Sequence, residues 1–156
     1  MIMTAGIAVA LSACSSPEKK SEILAPGDIL LTEFTTPFGV PPFDKIELDD
    51  YMPAFKEAIA QQQKEVDNIV GQTAAPDFEN TIVALDQSGS LLRKVNAVFS
   101  GLNSANTNDE MQALSRELSP LLSKNSDDIR LNKDLFARVK ACLLYTSPSP
   151  RDGLLS

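Results

Sequence analysis

Leu11-Ser12-Ala13-Cys14 is the one short string in this 156-residue chain whose residue types and order specify a reaction. An apolar residue, two small residues and a cysteine make a lipobox. Small side chains give a peptidase access to the scissile bond. The thiol left at the new N-terminus can then carry a diacylglyceryl thioether. Met1 to Leu11, just before it, is an apolar run without a charge. It is too short to span a bilayer, which takes roughly 20 apolar residues, and it matches the apolar core of a secretory signal peptide. No Lys/Arg segment precedes the run, so the true start is expected a few codons upstream. Two or more acyl chains on Cys14 would anchor firmly, where one chain binds only marginally.

The other reactive side chains form no such constellation. Asp49–Asp50 and Asp127–Asp128 are adjacent carboxylates, which on a helix point about 100° apart. They are expected to cap or to be solvated, and not to share a proton or a metal. The chain contains no His, so His-based zinc sites and Ser-His or Cys-His pairs are excluded. Of the two cysteines, Cys14 is assigned to lipid and Cys142 lies near the C-terminal end, so no disulfide framework is expected. A net charge of −7 repels phosphate backbones, and no nucleic-acid partner is expected. No glycine-rich phosphate loop, EF-hand loop or nucleophile elbow is present.

The elements that would have to position any site are helices, and the fold class expected is all-α. Residues 1–13 read as signal peptide, and 14–28, with Pro17, Pro26 and Gly27, as a flexible tether. Residues 29–44 read as an extended arm. Pro37, Gly39, Pro41 and Pro42 forbid helix there, and Phe34, Phe38 and Phe43 are expected to pack on the core. A first helix, about 49–70, is capped by Asp49 or Asp50 and carries Tyr51, Phe55, Ile59, Val66 and Val70 as one stripe. A second, about 78–104, is capped by Asp77. It turns Phe78, Ile82, Leu85, Leu92, Val95, Phe99 and Leu102 inward as one long stripe. Gly89 within it implies close approach of a neighbouring helix, at a propensity cost of about 1 kcal/mol. A third, about 108–126, is capped by Thr107 or Asn108 and weakened at Pro120. A fourth, about 133–141, is expected to bury Leu135, Phe136 and Val139.

The string from Cys142 to Ser156, CLLYTSPSPRDGLLS, breaks that pattern with Pro148 and Pro150. It resembles translated sequencing-adapter read-through. The expectation is that 142–156 is foreign to the fold, that helix stops within a residue or two of Ala141, and that a missing C-terminal portion followed it.

The stretch LLTEFTTPFGVPPFDKIELDDYMPAFKEAIAQQQKEVDNIV, Leu30 to Val70, resembles the N-terminal region of bacterial peptidyl-dipeptidases of the thimet oligopeptidase and oligopeptidase A family of zinc peptidases. FENTIVALDQSG (Phe78 to Gly89), LNSANTNDEMQ (Leu102 to Gln112), SPLLSKNSDDIRLN (Ser119 to Asn132) and LFARVKA (Leu135 to Ala141) continue it in order. The resemblance implies a helical wall of a channel that admits short peptides, with dipeptides released from free C-termini. It implies zinc, held in the family by an H-E-x-x-H helix and a downstream Glu in the C-terminal half. None of those residues exists here, so no catalytic or metal residue can be assigned. The chain alone is expected to bind no zinc and to be inactive.

Two readings stand. One is the N-terminal fragment of a lipid-anchored zinc peptidyl-dipeptidase, on the periplasm-facing membrane surface of a bacterial cell envelope, with short peptides as substrates and the catalytic half missing. The other is a non-enzymatic helical lipoprotein, a binding or scaffold module.

Overall fold

The computed structural model describes residue 25 and residues 27–146. The signal segment, the lipobox, most of the tether and the tail beyond Thr146 lie outside the described residues. Among the described residues the regular elements are helical and no strand occurs. They run α1 (Asp28–Leu31), a 3₁₀ turn (Pro37–Gly39), α2 (Leu48–Val70), a π turn (Phe78–Val83) and α3 (Ala84–Gln87). Then follow α4 (Ser90–Ala105), α5 (Asp109–Arg130) and α6 (Lys133–Thr146).

Helix α2 is the axis of the domain. Ala, Gln, Glu and Lys dominate its middle, all strong helix formers. Its first half buries Tyr51, Ala54, Phe55 and Ala58 against Val95, Val98 and Phe99 of α4, Met111 and Leu118 of α5, and Leu30 of α1. The two alanines let the neighbouring helices approach. Phe99 stands edge-on to two rings, with centroids 5.1 Å from Tyr51 and 5.8 Å from Phe55. Such pairs add about 0.5–1.5 kcal/mol beyond their buried area. The second half of α2 buries Val66 and Ile69 in a separate cluster with Leu135 of α6, flanked by Leu85, Ile129 and Val139.

Asp50 serves the start of α2 from inside the first turn, and Glu47 takes the cap position. One Asp50 oxygen accepts the Glu47 N–H at 2.9 Å and the other accepts the Gly27 N–H at 2.9 Å. Gly27 has φ +91°, and a Cβ there would lie 3.0 Å from both the Ala54 nitrogen and the Asp50 carbonyl oxygen. Only glycine lets the incoming chain lie so close to α2.

The segment expected as a helix-free extended arm contains one helical turn and one 3₁₀ turn. Of its three phenylalanines only Phe34 packs inward, its ring 4.6 Å beneath Lys94 Nζ, which donates to the Thr32 carbonyl at 2.6 Å. Burial lowers the Lys94 pKa, and Glu33 opposes the shift. Phe38 is fully exposed, with the left-handed φ of +62°. That conformation costs a non-glycine residue roughly 1–2 kcal/mol.

The expected helix over 78–104 is three pieces. It opens as a wide π turn, in which Asp77 accepts the Asn80 N–H at 2.7 Å as the expected cap. The chain then breaks at Ser88–Gly89. Gly89 has φ +69°, and its N–H donates to Glu65 Oε2 at 2.7 Å, placing a carboxylate at the start of α4. Arg93 folds back to donate to the Ser88 and Asp86 carbonyls at 2.8 and 3.1 Å, satisfying the end of α3. Phe78 therefore leaves the stripe and is 59% exposed. Asn108 caps α5 by accepting the Met111 N–H at 2.7 Å, and α5 continues through the exposed Pro120 to Arg130. Phe136, expected inside, is exposed. Helix α6 runs to Thr146, beyond the expected stop near Ala141, and buries Cys142 completely, while Leu143 and Leu144 are exposed.

The close approach expected at Gly89 is to α2. A Cβ at Gly89 would lie 2.3 Å from Gln62 Nε2. Gly89→Ala is expected to lower stability by about 2–3 kcal/mol, from the left-handed backbone and the displaced Gln62 hydrogen bond. Urea unfolding followed by circular dichroism measures it.

Candidate functional site

The lipobox residues Leu11, Ser12, Ala13 and Cys14 lie outside the described residues. The paired carboxylates occupy structural positions. Asp50 holds Glu47 and Gly27 as described, while Asp49 is exposed. Asp128 pairs with Lys124 one turn away on the solvent face of α5, and its neighbour Asp127 is exposed. An exposed i,i+4 pair contributes about 0.3–0.5 kcal/mol. The structure does not bring the two carboxylate pairs together as one site.

Three interior polar groups stand out, of which Asn125 and Arg138 escaped the sequence reading. Asn125 of α5 is buried, donates to Gln62 Oε1 at 2.8 Å and accepts from Gln63 Nε2 at 3.4 Å. It pins α5 to α2 one step from Gly89. Tyr51 is 1% exposed, and its hydroxyl has no hydrogen-bond partner among the described residues. Burial raises its pKa above the ordinary 10.0, with Asp50 adding to the rise.

Arg138 of α6 is the third and the most connected. Its Nη1 donates to the carbonyls of Gln72 and Ala74 at 3.2 and 3.3 Å. Its Nη2 donates to Gln72 Oε1, the Ala74 carbonyl and Asn80 Oδ1 at 3.3, 3.3 and 3.0 Å. Asn80 Oδ1 also accepts from the Asp77 N–H and the Thr81 hydroxyl at 3.1 and 2.8 Å. The guanidinium thus binds the α2–α3 connection through carbonyl dipoles, with no carboxylate partner among the described residues. The signal in the sequence was positional. Leu135, Arg138, Val139 and Cys142 share the inward stripe of α6, so a cation on that stripe had to be buried.

The surface carries open grooves and no enclosed reaction chamber among the described residues. One of them, about 540 Å³ between α2 and α5, has Leu48, Met52, Pro53, Ala113 and Leu114 as its apolar wall. Asp49, Glu110 and Glu117 rim it. Those carboxylates stand apart on two helices and suit contact with an amphipathic polypeptide better than acid–base chemistry. No three His, Cys, Asp or Glu side chains among the described residues converge as a metal site. With no His in the chain, its residues do not fit the zinc site of the family it resembles.

No family model matches the chain. Among curated proteins it is 47% identical over 112 residues to a dipeptidyl carboxypeptidase of Salmonella typhimurium and 45% identical over 111 residues to one of Escherichia coli. These alignments cover 72% and 71% of this chain and 16% of each relative. Oligopeptidase A of Escherichia coli is 30% identical over 101 residues, 65% of this chain and 15% of that protein. The chain therefore spans about a sixth of the length of the relatives it matches.

Arg138→Met is expected to lower stability by about 1–3 kcal/mol, because the part-buried Gln72, Ala74 and Asn80 oxygens lose a charged donor. Amide exchange should speed up across residues 72–80. Arg138→Lys should rescue little, since a single ammonium cannot span the fork of acceptors. For Tyr51 the sign follows from a folded pKa above the unfolded value of 10.0. Its contribution is present below pH 10 and is lost as pH rises through the folded pKa. Tyr51→Phe should cost little at pH 7 and should reduce the loss of stability above pH 10 in alkaline unfolding.

Proposed function

We propose that this chain belongs to the dipeptidyl carboxypeptidase family and forms the N-terminal helical portion of a zinc-dependent peptidyl-dipeptidase that removes dipeptides from the C-termini of short peptides. The observation that carries this is 47% identity over 112 residues to a dipeptidyl carboxypeptidase. Identity at that level across a helical domain with these interior polar contacts supports a shared fold for the segment. The relatives' remaining length would supply the zinc ligands and the general base, which this chain lacks. Its own residues would contribute a rigid wall. The aromatic cluster at Phe99, the Gln62–Asn125 bond and the Arg138 clasp hold its helices in one arrangement, so that a substrate channel built against them keeps its width.

The proposed setting is the periplasm-facing surface of a bacterial cell envelope. Cys14 would carry the lipid and residues 15–27 would act as spacer. The lipobox order and the uncharged apolar run before it support this. Among the described residues no helix is long and apolar enough to cross a membrane.

A Salmonella dipeptidyl carboxypeptidase in which residues 27–141 of this chain replace the matching segment should fold and retain dipeptide release. The 156-residue chain alone should release none. A folded chimera without activity would refute the proposed role. In cells given a complete signal segment, the chain should incorporate labelled fatty acid, and Cys14→Ser should abolish the label. Equal labelling of the variant would remove the lipid anchor from the proposal.

A further inference from the structure

The groove between α2 and α5 continues past Leu48 and Glu110 into a smaller hollow of about 170 Å³, with those two residues in the walls of both. Ile46, Leu102 and Met111 make the hollow apolar, and Tyr51 lines it with them. The Tyr51 side chain is 1% exposed, yet its hydroxyl has no hydrogen-bond partner among the described residues. Burial keeps the phenol protonated, so it is a donor that lacks an acceptor. An unpaired buried donor is destabilising, and an acceptor brought to it relieves the penalty.

The rim of the groove is acidic. Glu110 and Glu117 lie on α5 and Asp49 on α2, all three exposed and none in an ion pair among the described residues. No Lys or Arg lines either stretch. Glu110 and Glu117 are two helical turns apart, about 10.5 Å along α5. Three residues of an extended peptide span about the same distance, at roughly 3.3 Å each. Ala113 and Leu114 stand between the two carboxylates on the same wall.

We propose that this groove binds short, extended, cationic peptides. Basic side chains three residues apart would meet Glu110 and Glu117, an apolar side chain between them would lie against Leu48 and Leu114, and a peptide carbonyl would accept from the Tyr51 hydroxyl. In naming peptides as the occupant the inference rests on the family reading above. It adds to that reading a charge preference, at a site made wholly of this chain's residues. The larger stretch, about 540 Å³, has the capacity of a small-ligand site, roughly 300–1,000 Å³. The class of peptide follows from charge. A chain of net charge −7 draws cations and repels acidic peptides, and it repels a second copy of itself on the same ground.

Titration calorimetry of the 156-residue chain with the blocked hexapeptide acetyl-Lys-Leu-Ala-Lys-Leu-Gly-amide tests this. Binding should weaken as salt rises. The counterpart peptide with Glu in place of both Lys should bind roughly tenfold more weakly or worse. Glu110→Gln and Glu117→Gln together should weaken the Lys peptide about tenfold and flatten its salt dependence. Tyr51→Phe, which keeps the fold at pH 7, should weaken it several-fold and leave the salt dependence unchanged. Equal binding of the two peptides, or undiminished binding by either variant, would overturn the proposal. So would self-association of the wild-type chain in sedimentation that the Gln variant loses. A blocked C-terminus resists dipeptide release, so the Salmonella chimera can be titrated with the same peptide. An active chimera that fails to bind it would mean that the rest of the polypeptide covers the groove, which overturns the proposal and leaves the family reading intact. A folded, inactive chimera that binds it overturns the family reading alone.

Discussion

The close contact between α2 and Gly89 is the constraint on which the rest of the domain depends. Helix α2 is buried along both halves, but by different partners. Its first half lies under α4 and α5, and its second half under α6 and the α3 region. One straight helix from residue 78 to 105 could not serve both. The chain turns at Ser88–Gly89, where glycine alone accepts φ +69° and leaves room for Gln62. The Glu65 carboxylate then accepts the freed N–H at the start of α4. A clash, a charge and a backbone conformation thus agree at one point, and the two small cores form on either side of it.

Polar groups inside the domain select this arrangement more sharply than its apolar stripes do. Leucine and valine faces tolerate sliding by a turn or a change of partner, because dispersion and desolvation are nearly indifferent to direction. The buried amide of Asn125 is not indifferent, since a shift of α5 along α2 would leave it without Gln62. Arg138 imposes the same condition on α6. Its guanidinium must meet the Gln72, Ala74 and Asn80 oxygens together, or remain a buried charge without donors satisfied. These contacts lock the connection after α2, a stretch whose own sequence offers few apolar anchors.

In the reading proposed, such rigidity is the segment's contribution to function. A wall does not react with a peptide. As proposed, it would exclude folded chains and hold an opposing catalytic surface at a constant distance. The domain's carboxylates cap helices or face solvent, and its one buried tyrosine hydroxyl is held neutral by burial.

Fold class, the four main helical stretches and most caps were legible in the residues alone. Asp77 and Asn108 announce themselves because capping is local, settled by a side chain and an N–H three residues away. The inward faces of Tyr51, Phe55, Val95, Phe99 and Leu118 followed from helical spacing for the same local reason. The resemblance was legible too, through the ordered strings from Leu30 to Ala141, and the absence of histidine excludes His-based sites from these residues. Only the tertiary structure decided the rest. Periodicity could not show that Phe78 and Phe136 face outward, because a π turn and a helix's rotation about its own axis depend on what packs against them. It could not show that α6 carries on to bury Cys142, since that burial is offered by α6's neighbours. Nor could it reveal Arg138 as a clasp or Phe38 as exposed. In both, the energy resides in partners 58 to 66 residues away or in a backbone angle, and neither is written in the spacing of side chains along one helix.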